Sequence, residues 1–205
     1  MVGTLTDQYL PPGFPGFRDG RVYPLAHPSL QKAKALARGR LRGGKAVLYV
    51  PETGPLISLA QSLKQSVERI GLTIDIEPIP LGAYFDRIGT RSEAFDIAWF
   101  PWLPDYIDPY AYINALLDGM LIKAHGNFSY AYFNSSRYNS LMARAAGLRG
   151  GARCHAYGKL DLQIARDAAP WVAYMFSKAP TLVSKRVGCI VLRPYLVLAA
   201  ACLKR

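Results

Sequence analysis

At 205 residues the chain can hold one substantial core or two small lobes. Its 51% hydrophobic and 19% charged content excludes a disordered polyelectrolyte. An excess of 25 Lys and Arg over 14 Asp and Glu leaves a net charge of +11. That suits an anionic partner such as nucleic acid or a lipid surface, though a solvated arginine-rich face accounts for it more simply.

The opening MVGTLTDQYLPPG has no basic leader and no apolar run of the ~7 to 15 residues a secretory signal needs, so no export signal is expected. Residues 9–28, rich in Pro and Gly, read as a connector laid over a surface. SLQKAKALAR, residues 29–38, reads as a short helix capped by Ser29 and ended by Gly39, with Leu30, Ala33 and Ala37 on one face. Its other face joins a basic cluster of Lys32, Lys34, Arg38, Arg40, Arg42 and Lys45. No aromatic interleaves these cations, so the cluster reads first as a solvated face and second as a phosphate-binding patch.

The apolar run AVLYV at 46–50 has the length of a strand buried on both faces of a parallel sheet. Ala60, Leu63, Val67 and Ile70 then recur at helical spacing over 56–70, and Gly71 ends that helix. Leu72, Ile74 and Ile76 alternate with polar residues as a second strand, completing a βαβ unit. A short helix over 82–89 leads to a third strand over 95–100, where Phe95, Ile97 and Trp99 alternate with Asp96 and Ala98. The order β-α-β-α-β implies a mainly parallel sheet between helical layers.

That third strand opens onto WLPDYIDPY, residues 102–110, where a loop leaving the carboxyl end of a strand is well placed to hold a ligand. Asp108 followed by Pro109 has the form of a helix N-cap and first helical residue. A helix is expected over 109–118, a loop over 119–135, and helices over 137–147 and 152–168, the last with Tyr157, Leu160, Ile164 and Ala168 as its inner stripe. WVAYMF at 171–176 and TLV at 181–183 would return to the sheet as strands, and the tail from Gly188 is ambiguous. The apolar run from Leu196 to Leu203 is far short of the ~20 residues a membrane span needs, and a soluble chain is expected.

Cys154, Cys189 and Cys202 match no paired C-x-x-C metal pattern. Cys189 and Cys202 could close a disulfide if the protein matures outside the cytoplasm, and three buried thiols are the alternative. There is no G-x-S-x-G elbow, P-loop, G-x-G-x-x-G or H-E-x-x-H, so neither a cofactor nor a metal is expected. His27, His125 and His155 each lack a second ligand at metal spacing. An acid/base pair of Asp105 and Asp108 is disfavoured because capping already occupies Asp108. Asp105 stands beside Trp102 and Tyr106, a setting suited to an ammonium, or else it makes a turn hydrogen bond while Trp102 fills core.

Taken in order, LPPGFPGF, AVLYV, AQSLKQSVERIGL, PLGAYFDRIGT, FDIAWFPWLPDYIDPY, FNSSRYNSLMARA and AAPWVAYM resemble the C-terminal part of the extracellular solute-binding proteins of peptide-type ABC importers. The resemblance covers roughly Thr4 to Leu203. It implies an α/β lobe of the periplasmic-binding-protein type II fold, with three α/β/α layers and a mainly parallel mixed sheet. It also implies a non-enzymatic role outside the cytoplasm, binding a peptide or other small solute that ABC permease subunits then import. In that family an aspartate of the W-x-x-D-Y segment holds the peptide amine, which implies Asp105 as anchor with Trp102 and Tyr106 lining the pocket.

The expected organisation is a connector and short helix over 1–45, the α/β lobe over 46–187 and a tail over 188–205. The family's N-terminal lobe is expected to be absent, making this a truncated member or one part of a split one whose partner lobe is separately encoded. Nucleic-acid binding through residues 32–45 is the rival reading and is not expected. A small α/β hydrolase is the further alternative.

Overall fold

The computed structural model describes residues 3–178, 180–192 and 196–204. In chain order the elements are β1 (Gly3–Leu5), α1 (Leu30–Ala37), β2 (Lys45–Pro51), α2 (Gly54–Glu68), β3 (Thr73–Ile79), α3 (Leu81–Ile88), β4 (Ile97–Ala98), α4 (Ile113–Leu117), α5 (Ser136–Gly147), α6 (Gly150–Asp167), β5 (Met175–Ser177), β6 (Val187–Gly188), β7 (Val191–Leu192), β8 (Leu196–Val197) and β9 (Cys202–Leu203). They divide into two compact units, one of residues 1–22, 102–114 and 144–205, the other of residues 23–101 and 115–143.

The second unit is built on a parallel sheet of order β3-β2-β4. The period of two along β2 sends Ala46, Leu48 and Val50 to one face, where they form a core with Ile74 of β3 and Ala60 of α2. Leu56 and Val67 of α2 and Ile97 of β4 pack against that core, whereas Leu63 lies on the exposed side. Tyr49 and Glu77, in register on the opposite face, meet Arg87 of α3. Helices on both faces give the three-layer α/β/α arrangement that the strand and helix order implied.

Polar bonds pin the carboxyl ends of these strands. The fully buried Tyr84 of α3 donates its hydroxyl to the carbonyls of Tyr49 (3.1 Å) and Trp99 (2.6 Å). Arg87 stacks over the Tyr49 ring and bonds Glu93, Glu77 and the Tyr49 hydroxyl. The third strand is shorter than its apolar pattern suggested. Only Ile97–Ala98 pairs with β2, and the Asp96 and Trp99 amides add one bond each to Val47 and Tyr49 before Pro101 ends the run.

At the start of α1 the Ser29 hydroxyl accepts the Lys32 amide, as a cap should. The expected 109–118 helix is interrupted: a 3-10 turn over Pro109–Ala111 precedes α4. The Trp102 indole donates to the Ala111 carbonyl, an acceptor that an uninterrupted helix would offer to the amide four residues on.

The first unit is organised by α6. Tyr157, Leu160 and Ile164 are buried as expected, but Ala168 is exposed at the C-cap, and Asp161 and Ala165 complete the stripe. Asp161 is fully buried and takes three donors: the Tyr9 amide (2.8 Å), the Leu10 amide (3.2 Å) and the Gln8 side-chain amide (3.1 Å). It thereby holds the segment following β1, whose backbone would otherwise be buried without acceptors. Further along, glycine at 158 lets residues 16–18 approach α6 closely, since a Cβ there would overlap the Gly16 carbonyl oxygen.

The expected returning strands behave differently. Of 171–176 only Met175 and Phe176 fall in a strand, β5, which pairs antiparallel with β1 and not with the parallel sheet. Residues 181–183 form no strand, and Leu182 is fully exposed. The tail forms two antiparallel pairs, β6 with β9 and β7 with β8, and Cys189 is bonded to Cys202. Among the described residues no helix is long and apolar enough to cross a membrane.

Burial pushes the Asp161 carboxyl up to about 6, its three donors offsetting only part of the desolvation. A group whose folded pKa is raised contributes most below its unfolded pKa, and that contribution is lost as pH rises through the folded value. Relative to Asp161→Asn, the native protein should therefore lose on the order of 3 kcal/mol in denaturant-measured stability between about pH 4 and pH 7. Separately, thiol titration of unreduced, unfolded protein should count one reactive group, Cys154, and a count of three would contradict the Cys189–Cys202 bond.

Candidate functional site

The loop over residues 102–108 is irregular, as expected of a segment punctuated by Pro101, Pro104 and Pro109. It is nevertheless anchored at both ends. At its start the half-buried Trp102 donates its indole N–H to the Ala111 carbonyl at 2.8 Å. At its end Asp108 caps the following turn, with Oδ1 accepting the Tyr110 amide at 2.8 Å and the Pro109 ring occupying the first turn.

Asp108 has a second role, which depends on a residue far away in sequence. Arg153 of α6 grips its carboxylate in bidentate fashion, Nε to Oδ2 at 3.0 Å and Nη2 to Oδ1 at 2.7 Å. The remaining nitrogen, Nη1, donates to the Ala145 and Ala146 carbonyls at the C-terminal end of α5. The guanidinium also lies over the ring of the buried Tyr157, whose hydroxyl donates to Asn114 at 2.7 Å. Arg153 thus ties the loop's end to two helices through one planar group. Partial burial alone would push the Asp108 carboxyl up, but the Arg153 hydrogen bonds, the Tyr110 amide and the Arg153 charge together outweigh it and hold the carboxyl below its usual value.

Between these anchors the loop presents Leu103, Asp105, Tyr106 and Ile107 to solvent, over a buried Pro104. Asp105 makes no hydrogen bond or ion pair with any described residue. The turn bond that would have explained it structurally is not formed. Desolvation, then the charges of Asp108 and Tyr110, raise the Tyr106 phenol, with a smaller upward push from Asp105 and an opposing one from Arg153. The three residues Trp102, Asp105 and Tyr106 therefore stand on one short segment, the first fixed and the other two outward-facing.

The second unit carries its own shallow cavity of about 360 Å³, lined by Arg91, Ser92, Ile122, Lys123, Ala124 and His125. Buried Asn127 clamps its two loops, bonding the Gly89 carbonyl, the Lys123 carbonyl and the Lys123 amide. His125 Nδ1 lies 3.2 Å from the Thr90 hydroxyl. Among the described residues no group of three or more His, Cys, Asp and Glu is placed to hold a metal ion.

Arg153 was invisible to sequence reasoning. A lone arginine inside a helical pattern ordinarily marks a solvated face, and only the fold brings it to Asp108, 45 residues earlier.

The parallel sheet clothed by helices on both faces has the fold of a periplasmic-binding-protein type II lobe. The chain is similar to part of the solute-binding proteins of peptide-type ABC importers, the family its motifs resemble. No family model matches it. It is 28% identical over 140 residues to the probable D,D-dipeptide-binding periplasmic protein DdpA of Escherichia coli, a match spanning 67% of this chain and 26% of that protein.

Among solved structures, the clavulanic acid biosynthesis oligopeptide binding protein 2 superposes with a TM-score of 0.81 at 19% identity, over 99% of this chain and 39% of the other. The periplasmic binding protein DppA from Helicobacter pylori, in complex with the peptide STSA, gives 0.72 at 23% identity, over 84% of this chain and 33% of its own. The dipeptide binding protein from Pseudoalteromonas sp. SM9913, in complex with Met-Leu, gives 0.76 at 19% identity, over 98% and 40%. The chain therefore spans about a quarter of the length of its curated relative and two fifths or less of these structures.

Replacing Arg153 by Met keeps most of the packing volume and removes every charge-assisted bond. It should cost about 2 kcal/mol of stability at pH 7 in urea titration. Because the folded pKa of Asp108 is depressed, its stabilisation is present above the unfolded value and lost as pH falls through the folded one. The gap between native and Arg153→Met should accordingly narrow below about pH 4; a gap independent of pH would argue that Arg153 acts through packing and its Ala145 and Ala146 carbonyl bonds and not through Asp108.

Proposed function

We propose that this chain is a ligand-binding lobe of a solute-binding protein, non-enzymatic and working outside the cytoplasm in an ABC import system. Its ligand would be a peptide with a free amino group. Asp105 anchors that amine, and Trp102 and Tyr106 supply the aromatic walls. The observation that carries this reading is the exposed Asp105, unpaired among the described residues, on a loop fixed at both ends.

The physical case is one of preorganisation. A carboxylate already engaged, as Asp108 is with Arg153, would have to break strong bonds to receive a ligand. Asp105 has none to break, and its loop loses little freedom on binding. A charge-assisted hydrogen bond to an ammonium contributes about 1.5–3 kcal/mol, and a neighbouring aromatic face adds cation-π attraction. The similarity to proteins described as dipeptide- and oligopeptide-binding supports a peptide as the solute class. Those relatives are longer, so closure of a complete cleft and delivery to permease subunits would involve regions that this chain does not cover.

Isothermal calorimetry of the chain with Met-Leu and with N-acetyl-Met-Leu tests the assignment. The free amine should bind and the acetylated peptide should bind at least about tenfold more weakly, the equivalent of about 1.4 kcal/mol. Asp105→Asn should abolish that difference while leaving the melting temperature unchanged. Equal affinity for the two peptides, or an unaltered preference in Asp105→Asn, would overturn the role of Asp105.

A further inference from the structure

The basic cluster is left unexplained by a peptide site. Between Asp19 and Glu52 the chain carries seven Lys and Arg and no acidic residue at all. Six of them, Lys32, Lys34, Arg38, Arg40, Arg42 and Lys45, fall on α1, on the turn after it and at the start of β2, and every one is exposed. None of the six forms an ion pair with a described residue, whereas Arg87 and Arg153, on α3 and α6, are satisfied by carboxylates. Six like charges within 14 residues repel one another, a standing cost that an opposing anionic surface would relieve.

The helix adds an apolar element to this charge. Ala37 is buried and anchors α1, while Leu36 is 66% exposed. Leu36 lies one helical turn from Lys32, so the two share an outward face, and Arg38 follows two residues on. Just before the helix, Leu25 is also exposed. An outward leucine among cations gains nothing from water, yet it suits the boundary between headgroups and acyl chains, where the charges meet lipid phosphates. Single-stranded nucleic acid would call for aromatic side chains to stack on its bases, and no aromatic lies between Lys32 and Lys45; a duplex would take up the charges through its phosphates but leave the exposed Leu36 without a role.

We propose that α1 and the turn following it, with Lys32, Lys34, Arg38, Arg40, Arg42 and Lys45 around the exposed Leu36, form a docking face for an anionic lipid surface. The attraction is electrostatic in the main, with Leu36 inserting at the headgroup level. It holds the chain reversibly at a membrane and is independent of the peptide-binding reading.

Co-sedimentation of the full chain with phosphatidylcholine vesicles, with and without one third phosphatidylglycerol, is the test. Binding should require the anionic lipid and weaken as salt is raised above about 0.15 M, where the Debye length is ~8 Å. Each cation near such a surface is worth about a factor of five, so the triple change Lys32→Gln, Lys34→Gln, Arg38→Gln should reduce partitioning about a hundredfold. The matched triple Arg144→Gln, Lys159→Gln, Arg166→Gln, on other exposed cations, removes the same charge and should retain most of the binding.

Leu36→Asn should weaken vesicle binding several-fold and leave any binding to a DNA duplex unchanged. All these side chains are exposed, so melting temperatures should stay close to native. Equal loss in both triples would show that net charge and not this face is responsible. Duplex binding as tight as vesicle binding, with Leu36→Asn silent in both, would assign the face to nucleic acid instead.

Discussion

A single guanidinium sets the frame of the candidate site. Arg153 divides its donors between the carboxylate of Asp108 and two carbonyls at the end of α5, and its plane rests on Tyr157. Each of those acceptors would otherwise be partly buried and poorly satisfied, so one side chain resolves a helix terminus, a loop terminus and a charge together. The consequence for function is a separation of roles. Asp108 is consumed by structure, and Asp105, three residues before it, is left outward on a segment that can no longer drift.

The second unit holds its shape by other means. Its parallel sheet has apolar side chains on one face and a Tyr49, Arg87, Glu77 and Glu93 cluster on the other. Tyr84 closes the carboxyl ends with two carbonyl bonds from a fully buried position. Buried titratable groups here and in the first unit serve structure. Burial raises the phenols of Tyr84 and Tyr157 and the carboxyl of Asp161, and each has its hydrogen-bond partners inside the fold. A displaced titration is often a guide to function; in this protein the largest ones mark places where the chain is stitched to itself. Asp161 and Asp108 make the contrast plain, since burial that three donors only partly offset drives one carboxyl up and an arginine holds the other down.

Much of the local structure was legible in the residues. Ser29 caps α1, Asp108 and Pro109 open the following turn, and the apolar runs at 46–50 and 72–76 pair in parallel, because caps and periodicity act within a few residues. The misreadings share a cause. The 95–100 run shrank to two paired residues, residues 171–176 yielded to an antiparallel pairing with β1, and the 109–118 helix broke where Trp102 took the Ala111 carbonyl. In each case a partner distant from the local pattern, or absent from it, decided the outcome.

For the candidate site the division is similar. The order of strands and helices, the position of the loop at a strand's carboxyl end and the capping role of Asp108 were determined by the sequence alone, since each depends on backbone preferences and side-chain spacing. That Arg153 would seize Asp108, that Asp161 would be buried beneath residues 8–10 and that Asp105 would be left without a partner among the described residues were decided by tertiary structure. Charge pairing acts through space, and a linear pattern does not state which of 25 cations will come within 3 Å of a given carboxylate.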